Sequence, residues 1–200
     1  MKEFSSPADA SNWLKEGKIL IHPTEGVWGL GCDASNSSAC KKISYLKKRS
    51  DNKNFILLAP SISFALEFSA ELEASQIEFL ESVWPGHVTV IMQANDSLSL
   101  SIKAIDNTIA FRVSDHLPII NLLNSFNDLM VSTSANISNF PTPNSLDEVK
   151  KIFDDPDVAV YAHNNGDALK PSSIIDLKTM EYIRESVSYT HLTLPTILLV

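Results

Sequence analysis

ILIHPTEGVWGLGCD, residues 19–33, is the stretch on which the reading of the fold turns. Residues 18–22 carry an apolar run suited to a buried strand. Pro23 ends that strand, because it has no N–H to give to a ladder. Thr24 and Glu25 then place polar groups where strand hands over to loop. Gly26, Gly29 and Gly31 let the backbone bend and come close to another group. Polar side chains at a strand end beside a glycine-rich return are a common start to a ligand site. The same letters read equally as a strand, a tight turn and a second strand, with the glycines serving the turn alone.

Outward from this stretch the chain alternates strands and helices. Before it, Ser6-Pro7-Ala8-Asp9 is a helix start: a cap, a proline in the first turn and an acid three residues after the cap. Ala10, Trp13 and Leu14 form that helix's apolar face, and Gly17 stops it. After it, Ser37 or Ser38 is the expected cap of a second helix, with Ala39, Ile43 and Leu46 at helical spacing. Residues 55–59 read as a short buried strand. Helices are expected at 62–68 and 75–83, the latter opened by a capping box of Ser75 and Glu78. Strands follow at 88–93 and 108–113, a helix at 118–124 and a strand at 129–133. Ser145 and Glu148 box a helix that runs to Phe153. Late strands are expected at 158–162, 173–176 and 181–184. The alternation predicts an α/β fold. The sheet is expected to be mixed, because several connections are too short for a parallel crossover.

Composition narrows the class. The 200 residues are 44% hydrophobic and 20% charged, which is ordinary for a globular domain. Two cysteines, Cys32 and Cys40, make no disulfide framework, and no zinc spacing is present. The N-terminus has no apolar leader and no run is long enough to span a membrane, so a cytoplasmic protein without membrane contact is expected. A formal net charge of −8 argues against gripping nucleic acid with the whole surface. Yet Lys41, Lys42, Lys47, Lys48, Arg49 and Lys53 crowd one short segment, with Asp51 the only acid among them. An anion or a solvated face is needed there.

Four polar clusters therefore stand at strand or helix ends: Thr24; Lys47 to Arg49 with Lys53; Arg112; and Ser132 to Asn136. None is a Walker loop or a dinucleotide fingerprint. The set is rich in cations and hydroxyls and lacks an obvious nucleophile. It suits a reaction whose substrates bring the nucleophile while the protein neutralises and positions phosphates.

Taken together, the segments PTEGVWGLGCDA (23–34), LKKRSDNK (46–53), WPGHVTVI (84–91), AFRVSDH (110–116) and VSTSAN (131–136) resemble the YrdC/TsaC family of threonylcarbamoyl-AMP synthases. Lys47 and Arg49 meet the family's K-x-R pair, and Ser134 and Asn136 its S-x-N. The likeness runs from about Trp13 to Arg184. It implies a twisted, YrdC-like mixed sheet with flanking helices and a concave basic face. It implies that L-threonine, bicarbonate or CO2, and ATP become threonylcarbamoyl-AMP and pyrophosphate, with Mg2+ accompanying the ATP. A tRNA threonylcarbamoyl-transfer complex would use the product, and weak tRNA binding is a further expectation.

The resemblance also implies residue roles. Thr24, Arg112, Ser132 and Ser172 fall where the family touches threonine, although Ser173 could serve in place of Ser172. Lys47 and Arg49 fall in the catalytic positions. Lys47, Arg49, Asn52 or a neighbour, Thr108, Ser134, Asn136, Thr142 and Arg184 fall on the ATP side. Thr108 and Thr142 read equally as plain strand or loop hydroxyls, and Lys48 and Lys53 as solvated charges. No protein side chain is assigned to a metal. Where longer relatives have N-P-L-I and a nearby histidine, this chain has Asn54-Phe55-Ile56-Leu57-Leu58-Ala59, as in the short bacterial form. The domain is expected over 1–185. Residues 186–200 have no family counterpart and read either as a non-native remnant or as a genuine strand that packs or swaps. The rival readings are a non-catalytic RNA-binding YrdC-like module and the carbamoyl-transfer unit of hydrogenase-maturation proteins. The latter sits in much longer chains with zinc-finger motifs.

Overall fold

Ten strands form one mixed sheet in a computed structural model that describes residues 1–49, 55–97, 106–168 and 170–186. In chain order the first half comprises β1 (Lys2–Phe4), α1 (Pro7–Lys15), β2 (Ile19–His22), β3 (Gly29–Asp33), α2 (Ser37–Leu46), β4 (Ile56–Leu58), α3 (Ile62–Leu66) and α4 (Ala74–Val83). The second half comprises β5 (Val88–Gln93), β6 (Thr108–Arg112), α5 (Leu117–Phe126), β7 (Met130–Ser134), α6 (Leu146–Ile152), β8 (Val158–Tyr161), β9 (Ser173–Asp176) and β10 (Glu181–Arg184). The strand order is β1-β8-β2-β3-β7-β4-β6-β5-β9-β10. Both parallel and antiparallel neighbours occur, as the short connections require.

Local chemistry accounts for most boundaries. Ser6 caps α1 by accepting from the Asp9 N–H, and Pro7 opens the helix. Ser145 caps α6 in the same way, accepting from Glu148. Two expected caps are corrected. Asn36, not Ser37 or Ser38, caps α2, its Oδ1 accepting from the Ala39 N–H at 3.0 Å. At α4 the cap is Glu73, whose N–H donates to the Gln76 side chain at 3.0 Å, and not the Ser75–Glu78 box. In each case the helix starts one residue or more earlier, so the orphan N–H groups fall to a different neighbour. The strand β1 is an addition. Three residues at an edge carry too little pattern to read, and pairing to β8 supplies the strand.

Helices cover the sheet on both faces. One core joins Ile19, Ile21, Leu30 and Val131 to α2, α4 and α6 through Ile43, Leu80 and Val149. The second joins Leu20, Leu58 and Met130 to α1 and α5 through Trp13, Leu14, Ile119 and Leu122. Alternation along β2, β4, β7 and β8 assigns neighbouring residues to the two cores in turn. The α1–α5 pair covers only part of its face.

The glycines of β3 have a specific task. His22 is fully buried and pairs across the ladder with Gly29. A Cβ on residue 29 would lie 2.4 Å from the His22 ring, and one on residue 31 would lie 3.1 Å from it. The imidazole therefore lies across β3 only because β3 carries no side chains there. Gly29→Ala is expected to destabilise the fold by about 1–3 kcal/mol through overpacking. In denaturant unfolding, the loss should shrink when the substitution is made in a His22→Ala background.

Candidate functional site

Beyond the cover of α1 and α5, the same sheet face turns polar. Along β7, Met130 belongs to the α1–α5 core, while Ser132 and Ser134, at alternate positions, line an open cleft of about 290 Å³. Leu58 and Arg112 are ladder partners on the adjacent pair β4–β6, and Arg112 lines the cleft. The cleft also brings in Thr24 from the β2–β3 loop, Lys47 and Arg49 from the end of α2, Asn136 after β7, Ser172 before β9 and Arg184 from β10. Residues scattered over the sequence thus meet because the strand ends of one sheet converge.

Lys47 joins two of the sequence clusters. It is the C-cap of α2 and is only 3% exposed. Its ammonium donates to the Ser134 carbonyl oxygen, to the Asn136 carbonyl oxygen at 2.8 Å and to Asn136 Oδ1 at 3.3 Å. Ser134 Oγ donates to Asn136 Oδ1 at 2.6 Å, so the serine, the asparagine and the lysine lock together. Burial, with the nearby Arg49 charge, pushes the Lys47 pKa down to about 7. Arg49 donates to Thr133 Oγ1 at 3.3 Å, and its guanidinium lies 4.7 Å from the Phe55 ring centre. A cation at a helix C-terminus is ordinarily a solvated cap. Lys47 is the opposite, a buried group on which a turn is built.

Arg112 is 4% exposed and stands beside a buried carboxylate. Glu25 Oε2 lies 3.3 Å from Arg112 Nη2 and 3.6 Å from His87 Nδ1, and Glu25 Oε1 accepts from Ser114 Oγ at 2.6 Å. Burial raises the Glu25 pKa, but Arg112, His87 and Ser114 together overcome it and hold the carboxyl well below its usual range. Neither Glu25 Oε2 nor Arg112 Nε has a hydrogen-bond partner among the described residues. Glu25 thus balances the charge at Nη2 and leaves Nη1 for a ligand. A second carboxylate in the cleft suits that side of the guanidinium.

The other expected residues divide. The Thr24 hydroxyl accepts from the Gly26 and Val27 N–H groups, both at 3.1 Å, and donates to the Val27 carbonyl oxygen at 2.6 Å. It borders the cleft, but its hydrogen bonding is fully engaged in shaping the loop. Ser172 is buried, its Oγ 2.8 Å from Thr89 Oγ1, and its carbonyl oxygen accepts from Arg184 at 3.0 and 2.7 Å. Thr108 and Thr142 do not line the cleft. Thr108 sits at the far end of β6 from Arg112 and donates to Asp106 at 2.7 Å. Thr142 lines a separate apolar groove with Phe140 and Ile152. Asn52 and residues 187–200 lie outside the described residues. Glu25 and His87 are important groups that the sequence reading left unassigned. Both stand within the quoted motifs PTEG and WPGH, which was the available signal.

Electrostatically, Lys47, Arg49, Arg112 and Arg184 gather at one cleft, with the buried carboxylate of Glu25 against Arg112. This is the concave basic face expected from the resemblance, on a chain whose formal net charge is −8. The model of the family Sua5_yciO_yrdC, described as "Telomere recombination", matches residues 12–186. The chain belongs to this Sua5/YciO/YrdC family. It is 36% identical over 176 residues to a protein of Vibrio parahaemolyticus called threonylcarbamoyl-AMP synthase, covering 87% of this chain and 95% of that one. The P. abyssi Sua5 structure complexed with L-threonine superposes with a TM-score of 0.78 at 25% identity, covering 86% of this chain and 51% of that one. E. coli YciO shares the fold with a TM-score of 0.81 at 23% identity, covering 91% of this chain and 89% of that one. Among the described residues no helix is long and apolar enough to cross a membrane.

The Sua5/YciO/YrdC site thus rests on a buried ion pair whose disruption has a predictable sign. Glu25→Gln leaves Arg112 buried without its counter-charge, which is expected to cost about 3–5 kcal/mol. Because the folded pKa of Glu25 is depressed, its contribution is complete above the unfolded value and fades as pH falls below it. Denaturant unfolding from neutral pH into the acid range should show the wild-type advantage over Glu25→Gln shrinking below the ordinary glutamate value of 4.5.

Proposed function

We propose that this chain is an L-threonylcarbamoyladenylate synthase, a nucleotidyltransferase. The observation that carries the reading is the cleft itself. A guanidinium fork held by Glu25 stands in one cleft with the Lys47–Ser134–Asn136 cluster and Arg49. The first suits the carboxylate of an amino acid, and the second suits a polyphosphate. The relatives' name supplies the reaction that joins two such ligands.

In this reading the threonine amine captures CO2, present with bicarbonate, as a carbamate. A carbamate oxygen attacks the α-phosphorus of ATP, and pyrophosphate leaves. Arg112 holds the threonine carboxylate, and Ser132 faces the same ligand. Arg49 and the Lys47 cluster hold the phosphates and meet the charge that moves onto pyrophosphate. Fixed donors of this kind stabilise the transition state more than the bound substrate. Mg2+ is assigned to the nucleotide as its counter-ion. Among the described residues the cleft offers cations, hydroxyls, an imidazole and the amides of Asn136 and Asn139, a donor set that does not suit a hard divalent cation. The product would go to a threonylcarbamoyl-transfer complex acting on tRNA in the cytoplasm. The cationic face also keeps weak RNA binding as a second reading, distinguished by activity.

Pyrophosphate release should require both threonine and bicarbonate, and ATP turnover indifferent to threonine would refute the assignment. Arg112→Lys keeps the counter-charge of Glu25 but loses the planar guanidinium, so threonine KM should rise far more than ATP KM, by an amount worth about 2–5 kcal/mol. Equal effects on both would make Arg112 structural. A third test concerns Lys47. With its pKa near 7, the amine is largely neutral at pH 8, and a bound polyphosphate raises that pKa. ATP binding at pH 8 should therefore take up a proton. Calorimetry in buffers of different ionisation enthalpy should detect the uptake in the wild type and lose it in Lys47→Met.

A further inference from the structure

His22 is a fully buried ionisable group beside the cleft residue Ser132, and the proposed reaction does not use it. It stands at the end of β2, with Gly29 of β3 as its ladder partner. Gly31 of β3 is in turn the ladder partner of Ser132 on β7. The imidazole spans from β2, across the glycine gap in β3, to β7, where Nε2 lies 3.3 Å from Ser132 Oγ. A side chain on either glycine would close that route. The other nitrogen, Nδ1, is 2.9 Å from the carbonyl oxygen of Pro23.

The direction of both hydrogen bonds follows from the carbonyl. A carbonyl oxygen only accepts, so Nδ1 carries the proton. Burial holds the ring neutral at physiological pH, pushing its pKa down to about 4. Nε2 is then a bare lone pair, and the Ser132 hydroxyl must donate to it. This is the hydroxyl's one hydrogen bond among the described residues. Its proton is committed inward, and its oxygen remains as an acceptor on the cleft side.

We infer that His22 is a positioning residue that fixes Ser132 as a hydrogen-bond acceptor, so that this spot in the cleft takes an N–H or O–H donor of the substrate. The inference rests on the threonine reading for the ligand's name, and it deepens that reading. Arg112 takes a carboxylate, and Ser132 takes a donor on the same molecule. An α-amino acid carries both groups a few bonds apart. A simple carboxylate without such a donor gains nothing at Ser132. The alternative is a histidine that merely fills the gap over the glycines.

The test separates orientation from filling. His22→Phe fills the space but cannot accept from Ser132, whereas His22→Gln places an amide oxygen that can. Threonine KM should rise about tenfold in His22→Phe, the loss of roughly one hydrogen bond, with ATP KM within about twofold. His22→Gln should recover part of this loss. In a Ser132→Ala background the His22→Phe effect should fall below about twofold, since the hydroxyl it positions is gone. A His22→Phe protein that melts at a lower temperature with unchanged threonine KM would overturn the inference. So would equal rises in both KM values. If the variants do not fold, nitrogen-15 NMR of the histidine-labelled wild type decides. A proton on Nδ1 and a bare Nε2 support the inference, and a proton on Nε2 overturns it. If the wild type shows no threonine-dependent pyrophosphate release, the proposed activity falls, and the NMR result still decides the His22–Ser132 hydrogen bond separately.

Discussion

The buried ammonium of Lys47 is the interaction on which the site depends. It reaches from the end of α2 to oxygens of Ser134 and Asn136, 87 and 89 residues away in sequence. A buried charge is costly unless its donors are satisfied, and here three oxygens converge on it. The contact fixes the turn after β7 and ties a helix on one side of the sheet to the polar end of a strand. Burial also leaves the amine near its titration point, which makes it responsive to an arriving phosphate.

A second constraint is the unequal cover of the sheet. Helices α1 and α5 bury Leu20, Leu58 and Met130, and no farther along those strands. The positions that follow at the same pleat, His22 on β2 and Ser132 on β7, are polar. Burying a polar group costs free energy unless it is hydrogen-bonded. The answer differs along the face. His22 and Ser132 satisfy each other, Arg112 stands by Glu25, and Lys47 is held by backbone oxygens. Ser132, Arg112 and Lys47 line a common cleft, and His22 stands behind Ser132.

Charge follows the same geometry. The chain is acidic overall, with a formal net charge of −8. A local excess of cations survives at the cleft because, among the described residues, Glu25 is the one buried carboxylate. Glu25 Oε2 stands 3.3 Å from Arg112 Nη2 and balances its charge. The guanidinium thus carries its counter-charge at one nitrogen and keeps another for a ligand.

The sequence by itself determined much of this. Periodicity and punctuation placed nearly every element, because a helix cap or a strand-ending proline such as Pro23 is a local matter. The five motifs gave the family, the mixed sheet and most of the cleft residues. Thr108 and Thr142 lie outside the five motifs and carried over from the resemblance alone; Thr108 sits at the far end of β6 from Arg112 and Thr142 in a separate groove. Only the tertiary structure decided that Lys47 is buried instead of solvated, that Glu25 faces Arg112, and that Gly29 and Gly31 clear a path for His22. Each of these facts depends on a partner 80 residues or more away or on the neighbouring strand of a ladder. A linear pattern records which residue types are present. The register of the sheet alone settles which of them meet.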